Sequence, residues 1–389
     1  MRIVGWLLVA TLGAAGSTGC RDTAPRAEYG FPVPDGFPVP LVPSSNPMSA
    51  SKVALGRRLF YDVRLSGNGS QSCGTCHQSR FAFADDKGRA VGSTGEVHPR
   101  GAMSLVNVAF ATTFTWANPS LDSLETQATV PMFGEFPVEL GVTGHEDEIL
   151  GRIRADPDYV VLFGEAFPGD AEPIRFSNVA RAIAAFERTI VGAGSAFDRA
   201  TNGVDPSAMS ESARRGMDLF FGERLECFHC HGGSSLGQPI RGVGLERYEP
   251  EFHGNGLYNV GGTGDYPDGN QGLFESTGLP ADRGRFKAPT LRNIALTAPY
   301  MHDGSVGTLS EVIDHYARGG RRIASGPYAG DGAANPNKSI LVAGFAIGAS
   351  ERADLLAFLD SLTDWEVVCR EDLQDPFGRI PRHERCQAP

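Results

Sequence analysis

Ser72-Cys73-Gly74-Thr75-Cys76-His77 constrains this chain more than any other stretch. Two thiols three positions apart, with a histidine directly after the second, form the pattern of covalent haem c attachment. Each thiol can add across one vinyl group, and the adjoining histidine is then placed to ligate the iron from the proximal side. A redox CxxC or half of a zinc site has no need of that histidine. A second copy, Cys227-Phe228-His229-Cys230-His231, carries it too. The two pairs lie about 150 residues apart, whereas those of a zinc ribbon are separated by roughly 15–20 residues. The chain is therefore expected to hold two covalent haem c groups on Cys73, Cys76, Cys227 and Cys230, with His77 and His231 as iron ligands.

The other cysteines depend on compartment. Met1-Arg2 followed by the apolar run Ile3 to Leu12 is too short to span a membrane and reads as an export signal. Cys20, after Ser17-Thr18-Gly19, leaves two readings open: the lipid-modified first residue of a membrane-anchored lipoprotein, or ordinary cleavage nearby. Both put the chain in the periplasm, on the side of the inner membrane where haem c is attached. In that oxidising space Cys369 and Cys386 are expected to pair and tie down the tail. The formal net charge of -11 argues against nucleic acid as a partner and leaves protein partners open.

The fold class expected is mainly α, with two cytochrome c-like haem domains joined by long irregular loops. The 389 residues suffice for two buried cores, and 49 glycines and 26 prolines point to those loops. The order expected is a signal or lipoprotein peptide at 1–20, a Pro-rich linker at 21–50, a first haem domain at 51–200, a second at 201–368 and a tail at 369–389. A helix from Ser51 ends in the bulky pair Leu59-Phe60 before the first motif, and Ser210 to Phe221 has the same shape before the second. That is an internal repeat of one unit. Between the motifs, His145 to Arg154 and Ser177 to Val191 read as helices, the latter with Val179, Ile183, Phe186 and Ile190 on one stripe. Ser350 to Leu362 reads as the last. Gly232 to Gly284 has no period, and a loop of that length needs a role such as packing over a haem edge.

Thr308-Leu309-Ser310-Glu311 is a capping box, and Gly319-Gly320 supplies the stop. Leu309, Val312, Ile313 and Tyr316 recur at helical spacing, so Tyr316 points inward with the aliphatics. A buried phenol ordinarily does no more than donate a hydrogen bond.

Arg285-Phe286-Lys287-Ala288-Pro289-Thr290-Leu291-Arg292-Asn293 and Thr297-Ala298-Pro299-Tyr300-Met301-His302-Asp303-Gly304 give that tyrosine a context. Here the sequence resembles the bacterial diheme cytochrome c peroxidase superfamily, from about Ser51 to Leu362. In that family a Met fourteen residues beyond the histidine of the Pro-Tyr-x-His motif ligates the second haem; here the position is Tyr316. Tyrosine there marks the MauG-like branch, which includes the MbnH-like diheme enzymes, and the Phe-Gly-Glu-x-Pro-Val-Glu form at 133–139 resembles the latter. A phenolate favours oxidised iron where a thioether favours reduced iron. His315 is the competing ligand, but it lies about 100° round the helix.

The resemblance implies further roles. Glu139 matches the catalytic acid–base carboxylate of the peroxide pocket, with Glu135 a weaker candidate. Gln127 matches the pocket amide, Pro131 the proline that closes the pocket, and Trp116 the tryptophan between the haems. His98, directly before Pro99, is displaced from the family's distal histidine, so the first haem is expected to be open on its distal side. The carbonyls of Thr297 and Pro299 match ligands of an interhaem Ca2+, while Gly101 stands where the family has a contributing Asn; calcium stays open. His145, His229, His253 and His383 match no role and are expected on the surface or in packing. The activity implied is reaction with hydrogen peroxide to form a hole-shared, high-valent diheme state that oxidises an aromatic residue, tryptophan above all, of a partner protein. The alternative is a detoxifying cytochrome c peroxidase fed by a small electron-carrier protein.

Overall fold

The computed structural model describes residues 29–31, 33–245 and 250–387. The export segment and Cys20 lie outside the described residues. Seven helices of nine or more residues are present among them: α1 Ala50–Phe60, α2 Glu146–Arg154, α3 Pro157–Ala166, α4 Phe176–Glu187, α5 Glu211–Phe220, α6 Leu309–Arg318 and α7 Ala349–Ser361. Among the described residues, strand is confined to two antiparallel two-residue ladders, His253–Gly254 with Arg285–Phe286 and Arg322–Ile323 with Gly330–Asp331. The protein is mainly α, and no described helix is long and apolar enough to cross a membrane.

Local chemistry sets the helix ends. Ser49, Ser210 and Thr308 accept backbone N–H groups at the starts of α1, α5 and α6. Gly319 ends α6 with φ +77°, a conformation that favours glycine. α2 carries Glu146, Asp147 and Glu148 in its first turn and Arg152 and Arg154 in its last, as the helix dipole favours. α4 stops at Glu187, three residues before the buried Ile190 that its sequence stripe includes. α3 has no counterpart in the periodicity, because Tyr159 to Phe163 is a continuous apolar run. Asp156 as N-cap and Pro157 in the first turn are the signals that start it.

Two crossings organise the interior, and they are near copies. In the first, a Cβ on Gly56 of α1 would sit 1.9 Å from the Ala182 carbonyl oxygen of α4. In the second, a Cβ on Gly216 of α5 would sit 1.9 Å from the Asp354 carbonyl oxygen of α7. One turn further on, Phe60 meets Phe186 at 5.2 Å and Phe220 meets Phe358 at 5.1 Å between ring centroids. Glycine lets the backbones touch, and the aromatic pair locks the angle beyond it. Each crossing ends just before a CxxCH turn.

The first core gathers Leu55, Leu59, Tyr159, Phe163 and Ile183, and Val367 and Val368 from the C-terminal side join it. The second gathers Ala213, Phe220, Ile313, Leu355 and Phe358, against which Ala196 and Phe197 also pack. Arg292 and Asp198 form a buried bidentate pair at 2.8 and 2.9 Å. A disulfide joins Cys369 to Cys386. Phe37 in the Pro-rich arm is buried against Phe110.

Gly216→Ala should lower the stability of the holoprotein by roughly 1–3 kcal/mol, the usual cost of an overpacked contact. Gly151→Ala, in α2 with open space around its Cβ, should instead raise it by roughly 0.5–1 kcal/mol through helix propensity. Thermal unfolding of the two variants checks the contrast, and stabilisation by both would refute the close crossing.

Candidate active site

Both CxxCH turns open onto one cavity of about 760 Å3. Its wall includes Cys76 and His77 from the first turn and Cys227, Cys230 and His231 from the second. Cys73 stands at the start of the one-turn helix Cys73–Cys76, packed on the first core. Burial pushes the Cys76 and Cys227 thiols up to about 12 and Cys230 to about 11. Such thiols stay protonated at neutral pH, the opposite of a reactive redox cysteine. They form no disulfide with one another.

The histidines are set up to coordinate. His77 Nδ1 lies 2.9 Å from the Phe83 carbonyl oxygen. A carbonyl only accepts, so Nδ1 carries the proton and the Nε2 lone pair is free, the usual arrangement of a metal-ligating imidazole. Burial lowers the pKa of His77, and that of His231 to about 4, which keeps both rings neutral and able to bind metal. The buried Nδ1 of His231 has no hydrogen-bond partner among the described residues.

Lys287 adds a cation to which the sequence motifs assign no role. Its Nζ donates to the Thr113 carbonyl at 2.9 Å, and burial pulls its pKa down to about 8. A desolvated ammonium on this wall suits the propionate carboxylates of a haem. Thioether positions, neutral imidazoles with a free nitrogen and a buried ammonium thus fit haem c at both motifs.

Glu139 and Gln127 line the cavity, as does Trp116. The backbone around Glu139 is tightly held: its carbonyl accepts from Ser93 at 2.7 Å, and the next N–H, of Leu140, donates to the Pro131 carbonyl at 2.9 Å. Desolvation pushes the Glu139 carboxyl up to about 7. His98 Nε2 is 3.8 Å from Glu139 Oε1. His98 Nδ1 accepts the Arg100 backbone N–H at 3.2 Å, which places the proton of the neutral ring on Nε2. Pro131 is not part of the wall; its carbonyl holds the residue after Glu139 through that backbone bond. Glu135 is exposed and outside the cavity.

Trp116 is fixed by its indole N–H, which donates to the Gly101 carbonyl at 2.9 Å. Thr297 and Pro299 also line the cavity. At position 101 a Cβ would lie 3.0 Å from the Gly88 carbonyl oxygen, so the loops meet backbone to backbone there.

On α6, Leu309, Val312, Ile313 and Tyr316 face the cavity. His315 points elsewhere, its Nε2 3.0 Å from the Asn255 carbonyl oxygen. The helix therefore offers the cavity a phenol and withholds the imidazole. Burial pushes the Tyr316 phenol up to about 12, so its anion forms only beside a compensating cation.

Two more histidines belong to the wall although no motif gives them a role. His253, expected on the surface or in packing, sits at the cavity 3.5 Å from Glu251. His302 is buried and stacked on Phe286 at 3.7 Å between centroids, with Nε2 lacking a partner among the described residues. The signal that could have found it is the Pro-Tyr-Met-His motif itself, used only to count to Tyr316. His145 and His229 are exposed, and His383 packs on Trp365.

Residues 50–205 match the di-haem cytochrome c peroxidase family. The methylamine utilization protein MauG of Methylorubrum extorquens is 34% identical over 371 residues, 92% of this chain and 94% of that protein. Cytochrome-c peroxidase IdrP1 of a Pseudomonas species is 36% identical over 386 residues, 94% of this chain and 93% of that protein. The crystal structure of a MauG-like protein associated with microbial copper homeostasis superposes with a TM-score of 0.87 at 48% identity, covering 90% of this chain and 99% of the other. Paired haem motifs sharing one cavity, and likeness extending along nearly the whole chain, lead to the same conclusion: the protein belongs to the MauG and di-haem cytochrome c peroxidase family and is a diheme peroxidase-type oxidoreductase.

Proposed function

We propose that this enzyme uses hydrogen peroxide to oxidise an aromatic residue, tryptophan by its ease of oxidation, on a partner protein in the periplasm. The observation that carries the reading is Tyr316 facing the cavity from α6 while His315 is turned to Asn255. Bound at the two motifs, the haems would supply the redox chemistry that cleavage of peroxide requires. The residues of the chain do the rest.

Glu139 takes the proton from one peroxide oxygen and returns it to the other, which a carboxyl poised near neutrality can do in both directions. Gln127 orients the peroxide from the same wall. Neutral His98, with its proton on the nitrogen nearer Glu139, would steady that carboxylate rather than bind the first haem. Trp116, fixed by its indole hydrogen bond on the wall of the cavity that both motifs share, passes charge between them. Tyr316 would help hold the second haem from α6, and as an anion it would favour the oxidised metal. The family's other activity, peroxide removal at the expense of a small electron carrier, calls for a second haem held reduced, which a phenolate ligand opposes.

Three measurements test the reading. The diferric holoprotein should react with peroxide without prior reduction, seen as a fast change in haem absorbance, and Tyr316→Met should make the reaction depend on prior one-electron reduction. A diferric protein inert to peroxide, alongside a half-reduced form that turns over with a reduced carrier, would establish the detoxifying peroxidase instead. The rate of the peroxide step should rise as pH passes through about 7, because only ionised Glu139 can accept the proton, and level off above. Glu139→Gln should lower that rate by roughly 10²–10⁴-fold and flatten the profile; an unchanged inflection near 7 would assign the titration elsewhere. With peroxide and the protein made by the neighbouring gene, a mass gain on a tryptophan-containing peptide of the partner identifies the substrate.

A further inference from the structure

The cavity wall continues outward as a row of aromatic rings. Trp116 packs against a buried cluster containing Tyr258, Tyr266 and Phe286. From the indole, centroid steps of 6.4 Å to His302, 6.1 Å to Tyr266, 5.4 Å to Tyr258 and 6.0 Å to Tyr328 follow one another. Tyr258 and Tyr266 are buried, and Tyr328 is 45% exposed. Every step lies within the range in which aromatic side chains contact one another. The row therefore begins at the cavity that both haem motifs share and ends in solvent.

The hydroxyl groups along the row are not equivalent. Tyr258 donates to Asp303 Oδ2 at 2.6 Å, within the reach required of a proton acceptor. Asp303 also accepts the Ser305 backbone N–H at 3.1 Å, which favours its ionised form. The Arg321 guanidinium lies 6.0 Å from the Tyr258 ring centroid. A cation there opposes positive charge on the ring, so the phenol can lose an electron readily only if its proton leaves at the same time. The Tyr266 hydroxyl has no partner among the described residues and so no base to receive a proton. Tyr266 and His302 are bridging rings, and Tyr258 is the site where charge can rest.

We propose that Tyr266, Tyr258 and Tyr328 form a route by which an oxidising equivalent leaves the Trp116 region and reaches the surface at Tyr328, with Asp303 holding the Tyr258 proton. One electron passes from Tyr258 towards Trp116 while the phenolic proton moves to Asp303, giving a neutral tyrosyl radical. Tyr328 then returns an electron to Tyr258, which recovers its proton from Asp303, and Tyr328 loses its own proton to water. An aromatic donor at the surface finally reduces Tyr328. Peroxide is the oxidant, through the activity of the enzyme. The route rests on the function proposed above, in which Trp116 carries charge, and it gives that function an exit.

The test uses the diferric holoenzyme, peroxide and a tyramine-type phenol probe that couples to exposed tyrosyl radicals. Probe should appear on the Tyr328 peptide only with peroxide, together with a tyrosyl signal in the electron paramagnetic resonance spectrum. Tyr258→Phe should lower Tyr328 labelling by roughly ten-fold or more, and Asp303→Asn should lower it in the same direction; haem absorbance and thermal melting check that both variants fold. The route is overturned if the diferric wild type consumes peroxide but leaves Tyr328 unlabelled, or if Tyr258→Phe is labelled as strongly as the wild type. A wild type that does not consume peroxide in the diferric state overturns the proposed function and the route together.

Discussion

Each haem-binding turn hangs from a helix crossing that glycine alone permits. Gly56 and Gly216 let one backbone rest on another, and the phenylalanine one turn later settles the angle of the pair. Both CxxCH turns, and the cavity they share, take their positions from that placement. Tyr61, the residue after Phe60, lies against the first haem turn so closely that a Cβ on Gly74 would come within 2.3 Å of its ring. Its hydroxyl donates to the Leu373 carbonyl at 2.6 Å. The C-terminal tail, closed by the disulfide, thus bears on the first CxxCH turn through Tyr61 and also directly, since the same Cβ on Gly74 would lie 2.9 Å from Ile380 Cδ1. The stability of the crossing and the position of His77 are parts of one packing problem.

The cavity between the turns drives its ionisable groups towards neutrality. Glu139 rises to about 7, Lys287 falls to about 8, and His231 and His302 fall to about 4, in each case chiefly by loss of water. Asp303 is shifted the other way, its carboxyl held below the usual range by His302 and by hydrogen bonds from Tyr258 and Ser305 that outweigh its burial. Environments that push two carboxyl groups apart also divide their labour. Glu139 can both take and give a proton near neutral pH, whereas Asp303 is a standing base. The first property suits bond cleavage in peroxide, and the second suits a phenol that must lose its proton as it loses an electron.

The sequence carried the parts of this protein that are local. The CxxCH turns, the capping box of α6, the repeat of helix and aromatic pair, and the phase of Tyr316 are all set within a dozen residues, where spacing and stereochemistry decide. Close approach was harder to read. Nothing in the composition around Gly56 or Gly216 shows that a carbonyl of another helix lies against it, because that carbonyl belongs to a residue well over a hundred positions away. α3 was missed for a different reason: a continuous apolar run has no period, and Asp156-Pro157 is a short signal. Pro131 and His253 show that a matched or unmatched motif does not fix which side chain reaches a cavity. The aromatic row is likewise invisible in sequence, since Trp116 and Tyr328 lie far along the chain from the stretch that carries Tyr258 and Tyr266.

The segment 254–259 connects the ligand question to the charge route. Its Asn255 carbonyl takes the Nε2 of His315 and so fixes the rotation of α6 that leaves Tyr316 at the cavity. Three residues on, Tyr258 holds the Asp303 contact, and its own carbonyl accepts the Asn335 side-chain amide at 2.8 Å. A shift of this segment would therefore disturb two things at once, the side chain that α6 offers to the cavity and the ring at the centre of the proposed charge route. In the proposed function and route, placing both on one short, doubly anchored stretch would couple retention of the oxidising equivalents to their release. A flexible loop could position either residue alone; holding the two in register requires the backbone bonds at both ends.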